Sequence, residues 1–243
     1  MKASWVVELG CPSTAGGATL VICPHAGGGP AFYRGLGAAL GEGMRVCAVN
    51  YPGRERLIRE PHSPSLGVLA ASLVEQVQGV QEPVVLFGHS MGAIVAFEAA
   101  MSLGEQLRGL IVSGHPAPTQ GSLDRGLHRA HDDVLVRQVE EMGAVPEGLF
   151  QHPEFRHHLI RLLRHDLRAA ETHRCREGTV GVPLVAYAGE VDAVAPAVDV
   201  RAWASMTSVR FRSRTFPGGH FYFTTSLDAV AVAIRSDVTW CTA

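Results

Sequence analysis

Short apolar runs alternate with amphipathic stretches along most of the chain, and this alternation predicts strands connected by helices. The apolar runs that predict strands lie at 19–23, 45–49, 84–87, 110–112, 183–188 and 209–216. Helical spacing and alanine-rich composition predict helices at 32–40, 66–77, 93–100 and 227–234. Because strands and helices alternate, we expect an α/β fold with a mostly parallel, doubly wound sheet.

The segment from about 116 to 181 interrupts this alternation. Apolar side chains recur there at helical spacing in two groups. The first group comprises Leu135, Val139 and Met142, and the second comprises Phe155, Leu159, Leu162 and Leu163. Two or three amphipathic helices without a strand between them predict a helical lid, inserted into a single domain that spans 1–243. Additional helical packing on the core is the alternative interpretation.

The sequence GHSMG at 88–92 lies between the predicted strand at 84–87 and the predicted helix at 93–100. A G-x-S-x-G segment in that position is typical of the nucleophile elbow of α/β-hydrolases. The turn is so tight that a Cβ at the glycine on either side of the serine, Gly88 or Gly92, would clash, which explains why both are glycine. The pattern predicts an α/β-hydrolase fold with Ser90 as nucleophile. It also predicts that the Met91 amide binds the oxyanion.

A serine hydroxyl is a poor nucleophile at neutral pH, so Ser90 needs a base and the base needs an orienting acid. In α/β-hydrolases the chain order is serine, acid, histidine. Asp192 follows the fifth predicted strand, and His220 follows the last one. We therefore predict Asp192 and His220 as the partners of Ser90. Glu190, two residues before Asp192, is the alternative acid.

A glycine-rich segment, HAGGG at 25–29, follows the first predicted strand. It is similar to the HGGG-type segments that supply a second oxyanion donor in this fold, and we place that donor at the Ala26 amide. Neither a GxGxxG nor a Walker pattern is present, so a phosphate-binding loop is disfavoured. We also expect His25, Gly27 and Phe221 to contact the substrate.

The charge composition argues against a nucleic-acid partner. The formal net charge is −2 and charged residues make up 18% of the chain, without a dominant basic stripe. Arginines and histidines nevertheless outnumber Glu154, Asp166 and Glu171 between 151 and 176. This basic span is either a solvated helix surface, with Asp166 paired to a neighbouring arginine, or a face for an acidic partner. Its histidines lack metal-ligand spacing, so we expect no metal and no cofactor.

Cysteine spacing and hydropathy favour a cytoplasmic protein. The five cysteines are Cys11, Cys23, Cys47, Cys175 and Cys241. Their odd number and the lack of a CxxC pattern favour free thiols in a reducing compartment. The first residues lack the apolar region of a signal peptide, and no apolar run approaches the ~20 residues of a membrane span. We expect no membrane association.

Several motifs together resemble one family, the type II thioesterases of polyketide and nonribosomal-peptide assembly lines. The segments are PHAGG at 24–28, YPGRE at 51–55, GHSMG at 88–92, LRHDLRAAET at 163–172 and PGGHF at 217–221. The resemblance runs from about Trp5 to Val232 in the motif order of the family. Two positions depart from it: Cys23 replaces a bulkier apolar residue, and His115 replaces a more typical arginine.

This resemblance implies a discrete enzyme that hydrolyses acyl groups from the phosphopantetheine arm of acyl or peptidyl carrier proteins. Such an enzyme removes stalled or aberrant units in natural-product biosynthesis, including antibiotic biosynthesis, through a Ser-His-Asp triad and an acyl-enzyme. One alternative is a carboxylesterase or lipase of the same fold that acts on free small esters. Another is a catalytically silent α/β-hydrolase that serves as a binding module.

Overall fold

The sheet has a single antiparallel edge strand, and its other strands are parallel. The computed structural model describes residues 5–9, 17–41, 44–120, 124–145 and 148–243. The strands in these ranges are β1 (Val6–Glu8), β2 (Thr19–Cys23), β3 (Arg45–Val49), β4 (Val84–His89), β5 (Leu107–Ser113), β6 (Leu184–Gly189) and β7 (Phe211–Phe216). They form one sheet in the order β1-β3-β2-β4-β5-β6-β7, in which β1 runs antiparallel to β3. The expected mostly parallel sheet is therefore confirmed.

Helices connect these strands. Those in the described residues are α1 (Arg34–Leu40), α2 (Leu66–Val77), α3 (Met91–Ala100), α4 (Asp132–Met142), α5 (Pro153–Glu171), α6 (Ala197–Arg201) and α7 (Leu227–Thr242). α2 begins where predicted because the Ser65 hydroxyl accepts a hydrogen bond from the Val68 amide, at 3.3 Å, and caps the helix. In the part of the chain that the structure describes, no helix combines the length and apolarity that a membrane span requires.

Two apolar cores cover the two faces of the sheet. Successive residues of a strand point to opposite faces, so Leu86 packs in the core beneath α2 and α3 while Phe87 packs in the core beneath α1 and α7. The same alternation separates Val21 from Ile22 on β2. This double cover buries β4 completely and fixes the position of the residue that follows it.

The segment between β5 and β6 contains α4 and α5 without an intervening strand, as expected, apart from residues 121–123 and 146–147, which lie outside the described residues. It has a small core of its own, made by Leu135, Val136, Val139, Phe150, Ile160 and Leu163. The predicted apolar face of α5 is wrong at Phe155, which is 58% exposed. The first buried residue of α5 is Ile160, because the first turns of the helix extend beyond the core of this segment.

The cysteines of the described residues agree with the prediction of free thiols. Cys23, Cys47, Cys175 and Cys241 form no disulfide. Burial raises the pKa of the Cys47 thiol to about 11 and that of the Cys241 thiol to about 12, so both stay protonated at neutral pH. Cys11 lies outside the described residues.

Candidate active site

Ser90 occupies a strained turn between β4 and α3. Its backbone has φ 54° and ψ −122°, a conformation that residues with a side chain rarely adopt and that costs about 1–3 kcal/mol. The turn is held by two backbone hydrogen bonds: the Ser90 amide donates to the Ser113 carbonyl at 2.8 Å, and the Ala93 amide donates to the Ser90 carbonyl at 2.9 Å. This is the strand–turn–helix geometry of a nucleophile elbow, which presents the serine hydroxyl away from the sheet.

Both glycines of the elbow are required by close backbone approaches. A Cβ on Gly88 would lie 2.2 Å from the Gly92 carbonyl oxygen, and a Cβ on Gly92 would lie 1.9 Å from the Cys23 carbonyl oxygen. The second approach means that the first turn of α3 packs directly on the end of β2. The loop that follows β2 therefore begins next to the first turn of α3, and its residue Ala26 lines the same cavity as Met91.

The histidine and the acid predicted from the chain order form a buried pair. His220 Nδ1 lies 2.9 Å from Asp192 Oδ2, and both residues are buried. Asp192 Oδ1 accepts hydrogen bonds from the amides of Val194, at 2.8 Å, and Ala195, at 3.0 Å. Because a carboxylate only accepts, this contact favours the neutral tautomer with the proton on Nδ1, in which Nε2 is free to accept a proton.

The sheet register explains why these two loops meet. β6 and β7 are parallel neighbours, and their last residues, Gly189 and Phe216, are paired. The turn with Asp192 and the loop with His220 therefore leave the same edge of the sheet side by side. The alternative acid, Glu190, is exposed, which favours Asp192 as the partner of His220.

Four of the predicted site residues line one cavity. Ser90, Met91, Ala26 and His220 surround a space of about 90 Å³. The segment between β5 and β6 supplies much of the remaining wall with Leu127, Met142, Leu167, Ala170 and Glu171. The sequence singled out Met142 only as part of an apolar helical face and Glu171 only as an acid of the basic span, and Leu167 and Ala170 only within the LRHDLRAAET segment; none was predicted to line the cavity. This part of the wall comes from a long-range packing arrangement that local periodicity does not encode.

The three residues expected to contact substrate are absent from the lining of this cavity. His25 is buried, with Nδ1 2.9 Å from the Tyr33 hydroxyl, and Phe221 packs edge-on against its ring at 4.7 Å. Gly27 uses its amide to donate a hydrogen bond to Asp166, at 2.8 Å. His25 and Gly27 therefore anchor the loop after β2, to which they belong, and Phe221 packs against the buried ring of His25.

Three further histidines around the site are held neutral by burial. Burial lowers the pKa of His25 to about 3 and that of His115 to about 4, and it lowers the pKa of His89 as well. His89 packs 4.9 Å from the His220 ring and bonds to the Ser113 hydroxyl through Nδ1, at 2.9 Å. Because these three rings are uncharged, they repel a protonated His220 less than three cationic rings would.

Two groups of side chains in the described residues have the donor atoms of a metal site. In the first, with Glu98, His173 and Cys175, the Glu98 carboxylate already accepts from His173 Nε2 at 3.0 Å and from Arg176 Nε at 2.7 Å. The Arg176 guanidinium therefore already supplies the positive charge that a metal ion would bring to the Glu98 carboxylate. The second group consists of Asp124, His128 and Glu171, where Glu171 accepts from the amides of Leu127 and His128.

Comparison with known proteins gives consistent matches. The model of the thioesterase domain family matches residues 18–238. A probable cadicidin biosynthesis thioesterase of Streptomyces griseus is 36% identical over 228 residues, which cover 92% of this chain and 63% of that protein. The thioesterase PikA5 of Streptomyces venezuelae is 34% identical, over 87% of this chain and 77% of that protein. The solved structure of the type II thioesterase BorB from the borrelidin biosynthetic cluster superposes with a TM-score of 0.87 at 34% identity, over 98% and 99% of the two chains.

Proposed function

The chain belongs to the thioesterase domain family, and we propose that it hydrolyses acyl thioesters on the phosphopantetheine arm of acyl or peptidyl carrier proteins. The observation that carries this proposal is the shared cavity of Ser90 and His220, in which His220 is bonded to the buried Asp192. Thioesterases named for natural-product pathways are among its relatives, which supports a role in clearing stalled or aberrant units during such biosynthesis.

In the proposed acylation step, the Ser90 hydroxyl attacks the thioester carbonyl carbon while His220 Nε2 takes its proton. Asp192 stabilises the imidazolium that forms. The amides of Met91 and Ala26 donate to the oxyanion of the tetrahedral intermediate. When the intermediate collapses, the C–S bond breaks and His220 returns the proton to the departing pantetheine thiolate. The products are the acyl-Ser90 ester and the free thiol of the carrier.

In the proposed deacylation step, water takes the place of the thiol. His220 removes a proton from the water, whose oxygen attacks the acyl-Ser90 carbonyl. The second tetrahedral intermediate collapses with protonation of the Ser90 oxygen by His220 and releases the carboxylic acid. One thioester and one water yield one acid and one thiol, so these residues complete the cycle without a cofactor.

We further propose a single α/β-hydrolase domain in which residues 116–181 form the lid. Apolar side chains from this lid, among them Leu127 and Leu167, close the cavity above Ser90.

Mass spectrometry of acylated carrier proteins tests this function. We expect incubation with the protein to convert acyl-carrier into free carrier, with release of the acid, faster than free ethyl or p-nitrophenyl esters of the same acid are cleaved at equal concentration. Hydrolysis of the free esters alone would instead identify a carboxylesterase. No turnover of either class, together with no labelling of Ser90 by a fluorophosphonate, would identify a binding module.

The basic span of the lid offers fewer free charges than the sequence suggests. Arg164 donates to the carbonyls of His128, at 2.9 Å, and Ala130, at 2.6 Å, and it also pairs with Asp132. It therefore tethers two parts of the lid. Arg161 is exposed on the same helix, α5, and is the better candidate for contact with an acidic carrier protein.

We expect Arg161→Glu to raise KM for an acyl-carrier roughly three- to tenfold, because charge reversal weakens electrostatic steering of an acidic partner. The effect should shrink as salt is added, and kcat should not change. A thioester of N-acetylcysteamine should be hydrolysed as by the wild type. Steady-state kinetics with both substrates checks this, with Arg108→Glu, exposed near the start of β5, as the matched control. An unchanged carrier KM at low salt would contradict docking on this face.

A further inference from the structure

A buried ion pair joins the lid to a turn that lies 112 residues away in the chain. Arg54 follows β3 and Asp166 lies on α5, and they are 4% and 3% exposed. Nη1 of Arg54 lies 2.6 Å from Oδ2 of Asp166, and Nη2 lies 2.8 Å from Oδ1. The pair is therefore bidentate and shielded from water. Two parallel hydrogen bonds of this kind fix the orientation of the guanidinium relative to the carboxylate.

The same two side chains also bind the glycine-rich loop after β2. The Gly27 amide donates to Asp166 Oδ2 at 2.8 Å, and Arg54 Nη1 donates to the Gly28 carbonyl at 3.0 Å. Gly27 directly follows Ala26, the residue whose amide we assign to the oxyanion, and Gly28 is the next residue. The ion pair thus holds the backbone one and two residues beyond the proposed donor.

The turn that contains Arg54 and the helix α5 also pack against other residues of the glycine-rich loop. Glu55, next to Arg54, accepts a hydrogen bond from the Ala31 amide at 3.0 Å. A Cβ on Gly29 would lie 2.4 Å from Glu55 Oε1, and a Cβ on Gly27 would lie 2.6 Å from Leu163 Cδ2 of α5. A side chain at either position would have to displace the end of Glu55 or of Leu163, so the turn and the lid helix both pack closely against the loop. Glycine alone would leave the backbone free to adopt many conformations.

We propose that Arg54 and Asp166 are positioning residues, which hold the Ala26 amide in place for the oxyanion only while α5 is docked on the loop. This inference rests on the proposed function. An oxyanion donor must lie within about 2.7–3.1 Å of the charged oxygen, so a small displacement of the loop weakens it. If α5 moves away, Asp166 leaves Gly27 and the loop loses its anchor. Attack on the acyl group is therefore restricted to the closed lid.

The expected result concerns Asp166→Asn, which preserves shape but replaces one acceptor oxygen by an NH₂ group. With a thioester of N-acetylcysteamine, kcat should fall about 10- to 100-fold while KM stays within about threefold, because the lost contact acts in the transition state. The affinity for an acyl trifluoromethyl ketone should fall by a similar factor. Addition of Ser90 to this ketone places a negative oxygen where the Ala26 amide points.

Asp237→Asn is the matched control. Asp237 is also a buried carboxylate, bonded to the Tyr187 hydroxyl at 2.6 Å, to Arg214 Nε at 2.6 Å and to Arg212 Nη1 at 2.8 Å, but none of these residues lines the cavity. This variant should lower Tm and leave kcat and ketone affinity unchanged. Arg54→Lys, which keeps the charge but loses the second N–H contact, gives a second test if Asp166→Asn does not fold.

Either of two results would overturn the proposal. One is a folded Asp166→Asn or Arg54→Lys variant with wild-type kcat and ketone affinity and only a lower Tm, since the pair would then stabilise without positioning. The other is an equal loss of kcat in Asp237→Asn. If the wild type hydrolyses no thioester, the proposed function fails by itself. Binding of the ketone to Ser90, followed by ¹⁹F NMR, still tests whether the ion pair holds the Ala26 amide in place.

Discussion

Replacing Ser90 by alanine is expected to lower kcat for an acyl thioester about 10⁴- to 10⁶-fold. Without the hydroxyl no acyl-enzyme forms, and only binding and the oxyanion amides remain to assist water. The fold should persist, because Ser90 is bonded through its backbone and alanine removes a single oxygen. Steady-state or single-turnover hydrolysis of a carrier-bound thioester measures the effect, and circular dichroism checks the fold.

Ser236→Ala provides the matched control, because Ser236 is an exposed serine on α7 outside the cavity. Its kcat should equal that of the wild type. Turnover by Ser90→Ala within about tenfold of the wild type would contradict the covalent mechanism.

Replacing Asp192 by asparagine is expected to lower kcat about 10³- to 10⁴-fold. The asparagine can present its NH₂ group to His220 Nδ1 while its oxygen keeps the amides of Val194 and Ala195, which now bond to Asp192. Nδ1 then becomes the acceptor and Nε2 carries the proton, so the ring can no longer accept a proton from Ser90. The negative charge that stabilises the imidazolium is lost at the same time.

Glu190→Gln distinguishes the two acids that the sequence left open. Glu190 is exposed, so this variant should retain kcat within about threefold of the wild type. Measurement of kcat for both variants under the same conditions decides between them. A large loss of kcat in Glu190→Gln, together with an active Asp192→Asn, would identify Glu190 as the acid.

Local signals in the sequence predicted the elements that carry the chemistry. The strand β2, the strand β3 and the helix α2 have the predicted bounds, because each is a continuous apolar or amphipathic run between breaking residues. The edge strand β1 was missed because three residues, paired on one side only, carry too little pattern to identify. Phe155 was misassigned because periodicity identifies a helix face but not where along the helix its contacts begin.

Features that depend on contacts between residues far apart in the chain could not be predicted from local sequence patterns. Asp166 was expected to pair with a neighbouring arginine, yet its partner is Arg54, 112 residues away. The walls that Leu127 and Leu167 contribute to the cavity depend on how the lid packs on the sheet. His25 and Phe221 were expected at the substrate because of their motifs, whereas the structure buries both side chains and neither lines the cavity of Ser90.

The most direct test of the proposed mechanism is peptide mapping by mass spectrometry after rapid acid quench of the wild-type protein mixed with an acyl-carrier protein. The mechanism predicts a transient mass increase equal to the acyl group on the peptide that contains Ser90, which decays as free acid and free carrier accumulate. Free acid released without acylation of Ser90, acylation at another residue, or an acyl-carrier that stays intact would contradict it.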